Sequence, residues 1–557
     1  ETLPNEVLLL VFEYLGVHDL LVAGEVCKQW RILSCDSSLW ENLARKKWQI
    51  WKQGEETETL RWICEYKRRQ QQDDALPSLI DQMIFPKMRD TAMRRIMEYR
   101  EEVFEKLQVY INSLAEDQPI PEHIHPKPTL PPYINHISVL FRASSVFDLL
   151  HSCCFEYRCK EMMGTTETPE TLEELATLLS EWGTRQDGEI VTRRLDEIAQ
   201  GFRAFIQARE SSSVEELLED DRHSFVIESL LSYLMDNEGF SGSEADYYNP
   251  NNSFLHKLLE TKQGIPITLS ILFRSIAQRI GLEEVNLLNS PRHVVIAYKP
   301  SQTAPLMIID AFNNRILDLT QCNEFLVVSY TPSNLPVASA TDLLYRMLGN
   351  LRQIFKTLLD NRLVSVISFM LLIKEQANDY ILRILLNKSR GFKQLAWADY
   401  ERVKQMDCFD TDVLSRLESH ILSDADLHTQ EQEVVRLRTS PENRHVRYGV
   451  GFVFRHVRYG YRGVVFRWDP KCLSSDEWVH QMGVHLLPRS TEQPFYSVLV
   501  DSRDNHGQIT YVAEDNIGAP CCDLIHNPEV GLYFDSYDFE KHCYLPNKYW
   551  QTLFPEG

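Results

Sequence analysis

Along most of this chain apolar residues recur at the three-and-four spacing of amphipathic helices, and alternation replaces that spacing in two places only. At the start, Val7, Leu8, Val11, Tyr14 and Leu15 follow one helical face while Leu9 and Phe12 point elsewhere, so two faces of one short helix want cover. Asn5 or Thr2 is placed to cap this helix, with Pro4 in its first turn and Gly16 at its end. The first forty residues carry more apolar surface than a three-helix miniature can hide, which points to another protein as the cover. Trp-rich helices are expected over 41–75. A further helical stretch over 76–118 follows Met83, Met88, Met93, Ile96, Met97, Phe104 and Leu107. The crowding of Pro119, Pro121, Pro126, Pro128, Pro131 and Pro132 reads as a stiff connector. Beyond it the helical pattern resumes around 145–160, 171–182, 189–208 and 213–235, with hydroxyl-then-acid starts at Thr168 to Glu173 and Ser211 to Glu216.

The first change of pattern comes after Asn249-Pro250-Asn251, a turn, and Ser253, an expected cap. Ile267 to Ile280 is apolar on most faces and reads as a buried helix. Strand-like runs follow at 292–298, 306–309 and 325–329, which together make an α+β arrangement. Helices return over 340–359, 363–376, 379–386, 392–406 and 410–422, and 423–441 has the polar composition of a linker. The second change begins at Arg447, with strand-like runs at 447–451, 459–465, 493–501 and 509–516 that suit a small, partly open barrel. The hexapeptide Arg444 to Gly449 recurs as Arg455 to Gly460.

Size and charge narrow the function. A chain of 557 residues is too long for one core. Its 58 Lys and Arg against 80 Asp and Glu give a net charge of -22, which argues against a general binder of nucleic acid or anionic membranes. Twelve scattered cysteines with no CxxC suit reduced thiols of a cytoplasmic or nuclear protein and offer no zinc framework. His123 and His125 in the connector lack partners at ligand spacing. The longest apolar run, Leu363 to Ile373, falls short of the ~20 residues that span a bilayer, so no membrane span is expected. No metal or cofactor is expected.

Three stretches carry resemblances. Leu3-Pro4, Glu6-Val7-Leu8, Phe12, Leu15, Asp19-Leu20, Val26-Cys27, Trp30 and Leu39-Trp40 resemble the F-box in order and spacing. That resemblance implies docking on the Skp1 adaptor and, through it, on cullin and RING subunits. Leu3, Pro4, Val7, Leu8, Phe12 and Leu15 would form the adaptor surface, with Trp30 and Trp40 as core supports. The segment from Tyr248 through Gly264-Ile265-Pro266 to Arg292-His293-Val294 and Ile309-Asp310-Ala311 resembles the SirB-type transglutaminase-like domain. In such a site a cysteine opens the buried helix, a histidine holds it as thiolate and an acid orients that histidine. Here His293 and Asp310 match, but Pro266 stands where the cysteine belongs, and proline has no nucleophile. The implied reading is a vestigial cleft of Pro266, His293 and Asp310, without catalytic residues. Asn350-Leu351-Arg352 and its surroundings resemble the helical-repeat tail that follows this domain. Gly463, Trp468-Asp469-Pro470, Trp478, Gln493 to Tyr496, Glu514-Asp515-Asn516 and Tyr533-Phe534 resemble the YccV/HspQ, hemimethylated-DNA-binding-like domain.

The expected architecture is therefore multidomain α+β: an F-box over 1–45, a helical region with a Pro-rich connector (119–132) over 46–170, a transglutaminase-like domain over 171–340, a helical-repeat tail over 341–437 and a β-barrel over 444–555. The function implied first is substrate recognition for an SCF-type ubiquitin ligase, with unidentified target proteins held by the central and C-terminal domains. Two alternatives stay open. Arg455, Arg458, Tyr459, Tyr461 and Arg462 mix charge and aromatic faces as a DNA-binding or peptide-binding surface would. A cysteine-independent amide hydrolase or acyl transferase in the central domain is the other.

Overall fold

Helix α1 (Asn5–Phe12) begins after Pro4 without a side-chain cap, because the Asn5 amide oxygen accepts a 2.7 Å hydrogen bond from Gln29 instead. It stops at Phe12, four residues before Gly16, which leads into α2 (Val17–Val26). The expected Asn5 cap and Gly16 stop are thus corrected. Helices α3 (Lys28–Leu33) and α4 (Ser37–Lys47) follow, the latter capped by Asp36 on the Ser38 amide at 3.0 Å. Leu8, Phe12, Leu20, Leu33, Leu39 and Trp40 close their core, and Trp40 donates its indole proton to the Ser34 carbonyl at 2.7 Å. Trp30 is only half-buried and packs edge-on against Phe12.

The structure, a computed structural model, describes residues 3–48, 62–116 and 135–555, apart from 169, 211, 292, 301–303, 359, 361, 390–391, 407, 423–434 and 505–508. Thr2 and the Pro-rich connector with His123 and His125 lie outside the described residues. Contacts divide the chain into two units, one of residues 1–150 with 424–557 and one of 151–423.

In the first unit α5 (Trp62–Gln82), α6 (Pro86–Tyr99) and α7 (Phe104–Glu116) bury Met83, Met93, Ile96 and Leu107, whereas Met88 stays exposed. Helix α8 (Ile137–Met163) is long and apolar enough to cross a membrane by length and composition, yet 56% of its most apolar window is buried in the protein.

The second unit continues with α9 (Thr171–Thr184), α10 (Glu189–Arg209), α11 (Val214–Glu219) and α12 (His223–Ser232). Ser213 and Glu216 form the reciprocal cap that starts α11. Short strands β1 (Ser241–Gly242) and β2 (Gln263–Gly264) pair in parallel around α13 (Leu255–Thr261), and α14 (Pro266–Arg279) is buried nearly throughout. Ser253 is buried with its hydroxyl unpaired and caps nothing; Asn249 caps the preceding turn on the Asn251 amide instead. Strands β3 (Asn286–Asn289), β4 (Val294–Tyr298), β5 (Met307–Asp310) and β6 (Arg315–Leu317) form an antiparallel meander. Val294, Ile296, Tyr298, Met307 and Ile309 join the core around α14, while Leu288, Val295, Ala297 and Ile308 pack with Cys322 of α15 (Leu319–Leu326). Of the strand expected at 325–329, Phe325 and Leu326 instead end that helix and the rest is neither helix nor strand; Asp318 and Gln321 start the helix with a capping box. Helices α16 (Ala340–Leu358), α17 (Leu363–Ile373), α18 (Ala377–Ser389), α19 (Lys393–Gln405) and α20 (Thr411–Leu422) each pack on the next, as in a repeat array.

The chain then returns to the first unit. Strands β7 (Val453–His456), β8 (Arg462–Asp469), β9 (Phe495–Val500), β10 (Ile509–Ala513) and β11 (Ile517–Pro520) form an antiparallel sheet in the order β10-β9-β8-β7-β11, with α21 (Asp476–Gln481) between β8 and β9. Its edge strands are joined by only Glu514–Asn516, so the sheet curls into an open barrel. The run at 447–451 is not a strand. It turns at Gly451, whose φ of 91° and closeness to the Tyr544 carbonyl leave no room for a Cβ. Helices α22 (Val530–Tyr533) and α23 (Lys548–Leu553) flank the hairpin β12 (Phe534–Asp538) and β13 (Cys543–Pro546). The barrel core takes in Ile137 of α8, Gly531 presses on Phe141, and Asn547 Nδ2 donates to Ser138 Oγ at 3.3 Å.

Candidate functional site

Within α1 only Asn5 and Glu6 are polar, and an eight-residue helix cannot bury six apolar side chains against one small core. Leu8 and Phe12 take the core positions, at 5% and 2% exposure, so the expectation that they line the adaptor surface is corrected. Leu3, Pro4 and Val7 are exposed and Leu15 is partly buried against the core. The exposed apolar surface of these helices also contains Leu10, Val11, Leu21, Val22, Val26, Tyr14 at 91% and Ile32 at 75% exposure, none of them among the residues the sequence reading assigned to the adaptor surface. For Leu10 the signal was present, because it falls opposite the Leu8 and Phe12 positions.

In the central unit His293 Nε2 lies 2.8 Å from Asp310 Oδ1. Asp310 is buried and also accepts from Asn313 Nδ2 at 2.7 Å and Arg315 Nε at 3.0 Å. Burial alone would raise its carboxyl, but the hydrogen bonds from His293, Asn313 and Arg315 outweigh burial and hold it below the usual carboxylate range. The His293 ring stands edge-on to Phe325 at 5.4 Å and to Phe312 at 5.8 Å. Phe312 in turn covers Gly242, whose strand pairs with Gly264, two residues before Pro266. Pro266 occupies the first turn of α14, is buried and presents no polar side-chain atom. The neighbouring hydroxyls are occupied. Thr268 Oγ1 accepts from the Ile265 amide at 3.1 Å and donates to the Asn252 carbonyl at 2.9 Å, and Ser270 donates to the Val294 carbonyl at 3.4 Å. Burial pushes the Cys322 thiol up, and the Asp310 charge adds to it, so its thiolate is disfavoured.

The C-terminal hairpin brings four of its five expected residues to one tip. Arg455 Nη1 donates to the Gly460 carbonyl at 2.9 Å, Arg458 lies 5.3 Å over the exposed Tyr459 ring, and Tyr461 packs on His456 at 4.7 Å. Arg462 is different. Asp504 grips it with two 2.8 Å bonds and Asp523 adds a third at 3.1 Å, so its charge is already matched and it is not part of an open cationic surface. Among the described residues no group of three or more His, Cys, Asp or Glu is placed to hold a metal ion.

Three segments match described families: residues 1–46 the F-box-like family, residues 189–349 the Transglutaminase-like superfamily, and residues 446–541 the family of Hemimethylated DNA-binding protein YccV like. The chain therefore joins an F-box-like segment, a transglutaminase-like domain and a YccV-like domain in that order. It is similar to F-box only protein 21 of Homo sapiens, 31% identical over 374 residues that make up 63% of this chain and 58% of the relative. F-box only protein 21 of Pongo abelii is 30% identical over 367 residues, 63% of this chain and 57% of the relative. The first segment is similar to F-box/LRR-repeat protein 5 of Salmo salar, 46% identical over 46 residues, 8% of this chain and 7% of that protein. The chain thus spans less than three fifths of the F-box only protein 21 relatives it matches. No solved structure matches it.

Proposed function

We propose that this chain is the substrate-recognition subunit of an SCF-type ubiquitin ligase, held to the Skp1 adaptor by its F-box-like helices and presenting target proteins through its other domains. The observation that carries the reading is the uncovered apolar surface of α1 to α3 around Val11, Tyr14, Val26 and Ile32. Recruitment supplies the chemistry by proximity, since effective molarities of well-held partners reach ~10⁵ M and above. The central domain then serves as a scaffold and not as an acyl transferase. Pro266 in the helix start, a saturated Asp310 and a protonated Cys322 support that part of the reading. The protein would act in the cytoplasm or nucleus, in keeping with twelve free cysteines.

The test is capture of purified Skp1 by the full chain carrying Val11→Asp and Ile32→Asp, both at exposed positions. Adaptor binding falls at least 100-fold while the circular dichroism spectrum is unchanged. Undiminished capture overturns the assignment.

A further inference from the structure

Arginines in the C-terminal part of the chain fall into two groups. Arg436, Arg462, Arg467, Arg489 and Arg503 each pair with a carboxylate. Among the described residues Arg438, Arg444, Arg447, Arg455 and Arg458 do not, and Arg438 and Arg444 line one open cavity of ≈ 540 Å³ with Thr439 and Val446, beside the Arg447 backbone. Backbone carbonyls position the Arg438 and Arg444 side chains. Arg438 Nη1 donates to the Arg447 carbonyl at 3.2 Å, and Arg444 Nε reaches the Thr439 carbonyl at 3.5 Å. Val446 is buried in the barrel core and anchors the wall, while Asn443 Nδ2 and Ser440 Oγ both donate to the Leu437 carbonyl and shape the turn. Arg438 also keeps a buried Nε with no acceptor. Acids do approach: Glu442 lies in the same turn, and Glu514 accepts from the Arg447 amide at 3.2 Å, though Arg489 already matches Glu514.

In a chain of net charge -22, carboxylates are abundant and an unmatched arginine cluster is the exception. Guanidinium groups held by backbone and open on one side suit a tetrahedral dianion, whose oxygens take paired N–H bonds. We propose that this cavity is a binding site for a phosphorylated serine or threonine side chain in an extended segment of a target protein. Geometry favours such a single phosphate over a nucleic-acid backbone. The hairpin tip with Arg455 and Arg458 stands at the Arg462 end of β8. The cavity stands near its other end, where His445 Nε2 meets the Pro470 carbonyl at 2.9 Å. An eight-residue strand separates them by roughly 20 Å. Asp504 and Asp523 sit by the tip, so the two cationic places are not one continuous track.

The inference rests on the receptor reading only for whose segment is bound, and it is tested without the adaptor. The intact chain is immobilised and offered a degenerate nonapeptide library with a central phosphoserine or phosphothreonine, and the same library unphosphorylated. Retention of the phosphorylated library is expected to exceed that of the other at least tenfold. Millimolar inorganic phosphate should compete for the site. Arg438→Glu with Arg444→Glu should abolish the difference, and Arg458→Glu should leave it intact. Equal retention of both libraries overturns the proposal. So does a preference for a 20-base-pair duplex that falls steeply with salt and is lost in Arg458→Glu, since that would mark a polyanion surface. Skp1 capture by the same preparation separates failure here from failure of the receptor reading.

Discussion

Arg142, on the first half of α8, is 2% exposed and its guanidinium lies 5.2 Å over the Phe141 ring. Burial pushes its pKa far below the ordinary arginine value, and the like charge of Arg89 pushes the same way. Its Nε has no acceptor. A buried charge without a carboxylate is costly, and replacement by an apolar side chain of similar length removes that cost. Arg142→Met is therefore expected to stabilise the first unit by about 1–4 kcal/mol. A thermal melt tests this: a higher midpoint is the expected outcome, and a fall of several degrees would mean that the charge is met by a partner. Nothing in the periodicity around Ala143 and Val146 marks Arg142 as inward-facing, because an arginine on an amphipathic helix ordinarily lies at the solvent edge.

At the scale of the element, one hexapeptide takes two forms. In Arg444–Gly449 the valine is buried and His445 is exposed, whereas in Arg455–Gly460 the histidine is buried and Val457 is exposed. The second copy ends strand β7 and turns through Gly460, with a φ of 71°. The first forms a turn and an extended segment beside the sheet. Tertiary pairing, not local preference, decides which residue faces inward. His456 Nδ1 accepts from the Arg458 and Tyr459 amides, both at 3.1 Å, so the neutral ring with its proton on Nε2 builds the turn. Burial, with Arg458 adding to it, holds its pKa down to about 4. The unfolded chain binds the proton near pH ~6.5. Stability is thus full above that value and is lost as pH falls towards 4. The melting temperature of the first unit should drop between pH 7 and pH 5, and His456→Asn, which keeps an acceptor near Nδ1, should flatten that drop. An equal drop in both proteins would count against the linkage.

Long elements were legible in the sequence and short ones were not. The helices of α14 and α16 to α20 carry an apolar period over enough turns to be read directly, whereas β3 and β6 have four and three residues and show no alternation to read. Phe325 to Ser329 reads as a strand by composition, but the Asp318-Gln321 capping box starts a helix upstream that runs through Leu326 and ends with Val327 in a left-handed conformation. The His293–Asp310 pair was legible because Asp310 ends β5 and His293 directly precedes β4; the arginine cavity was not, because it depends on which of the nearby charges pair with one another.

At the scale of the whole molecule, the first unit is built from both ends of the sequence. Ile137 enters the barrel core, Lys548 pairs with Asp81 at 2.7 Å, and Tyr549 meets Phe85 at 6.2 Å. Removing residues 444–557 is expected to uncover the 137–150 half of α8. Limited proteolysis should then cut within 137–150, a stretch protected in the intact chain; equal protection in both would show that the helix does not need the barrel.

The same arrangement sets an order of events during synthesis. The apolar side of α8 leaves the ribosome roughly 400 residues before Tyr533 and Trp550, which complete its surroundings. At ~5–20 residues per second that interval is on the order of 20–80 s. Through it the nascent chain already displays α1 to α4 while half of the first unit has not yet been made. A chain of this design leaves that apolar surface open to chaperones for most of its own translation.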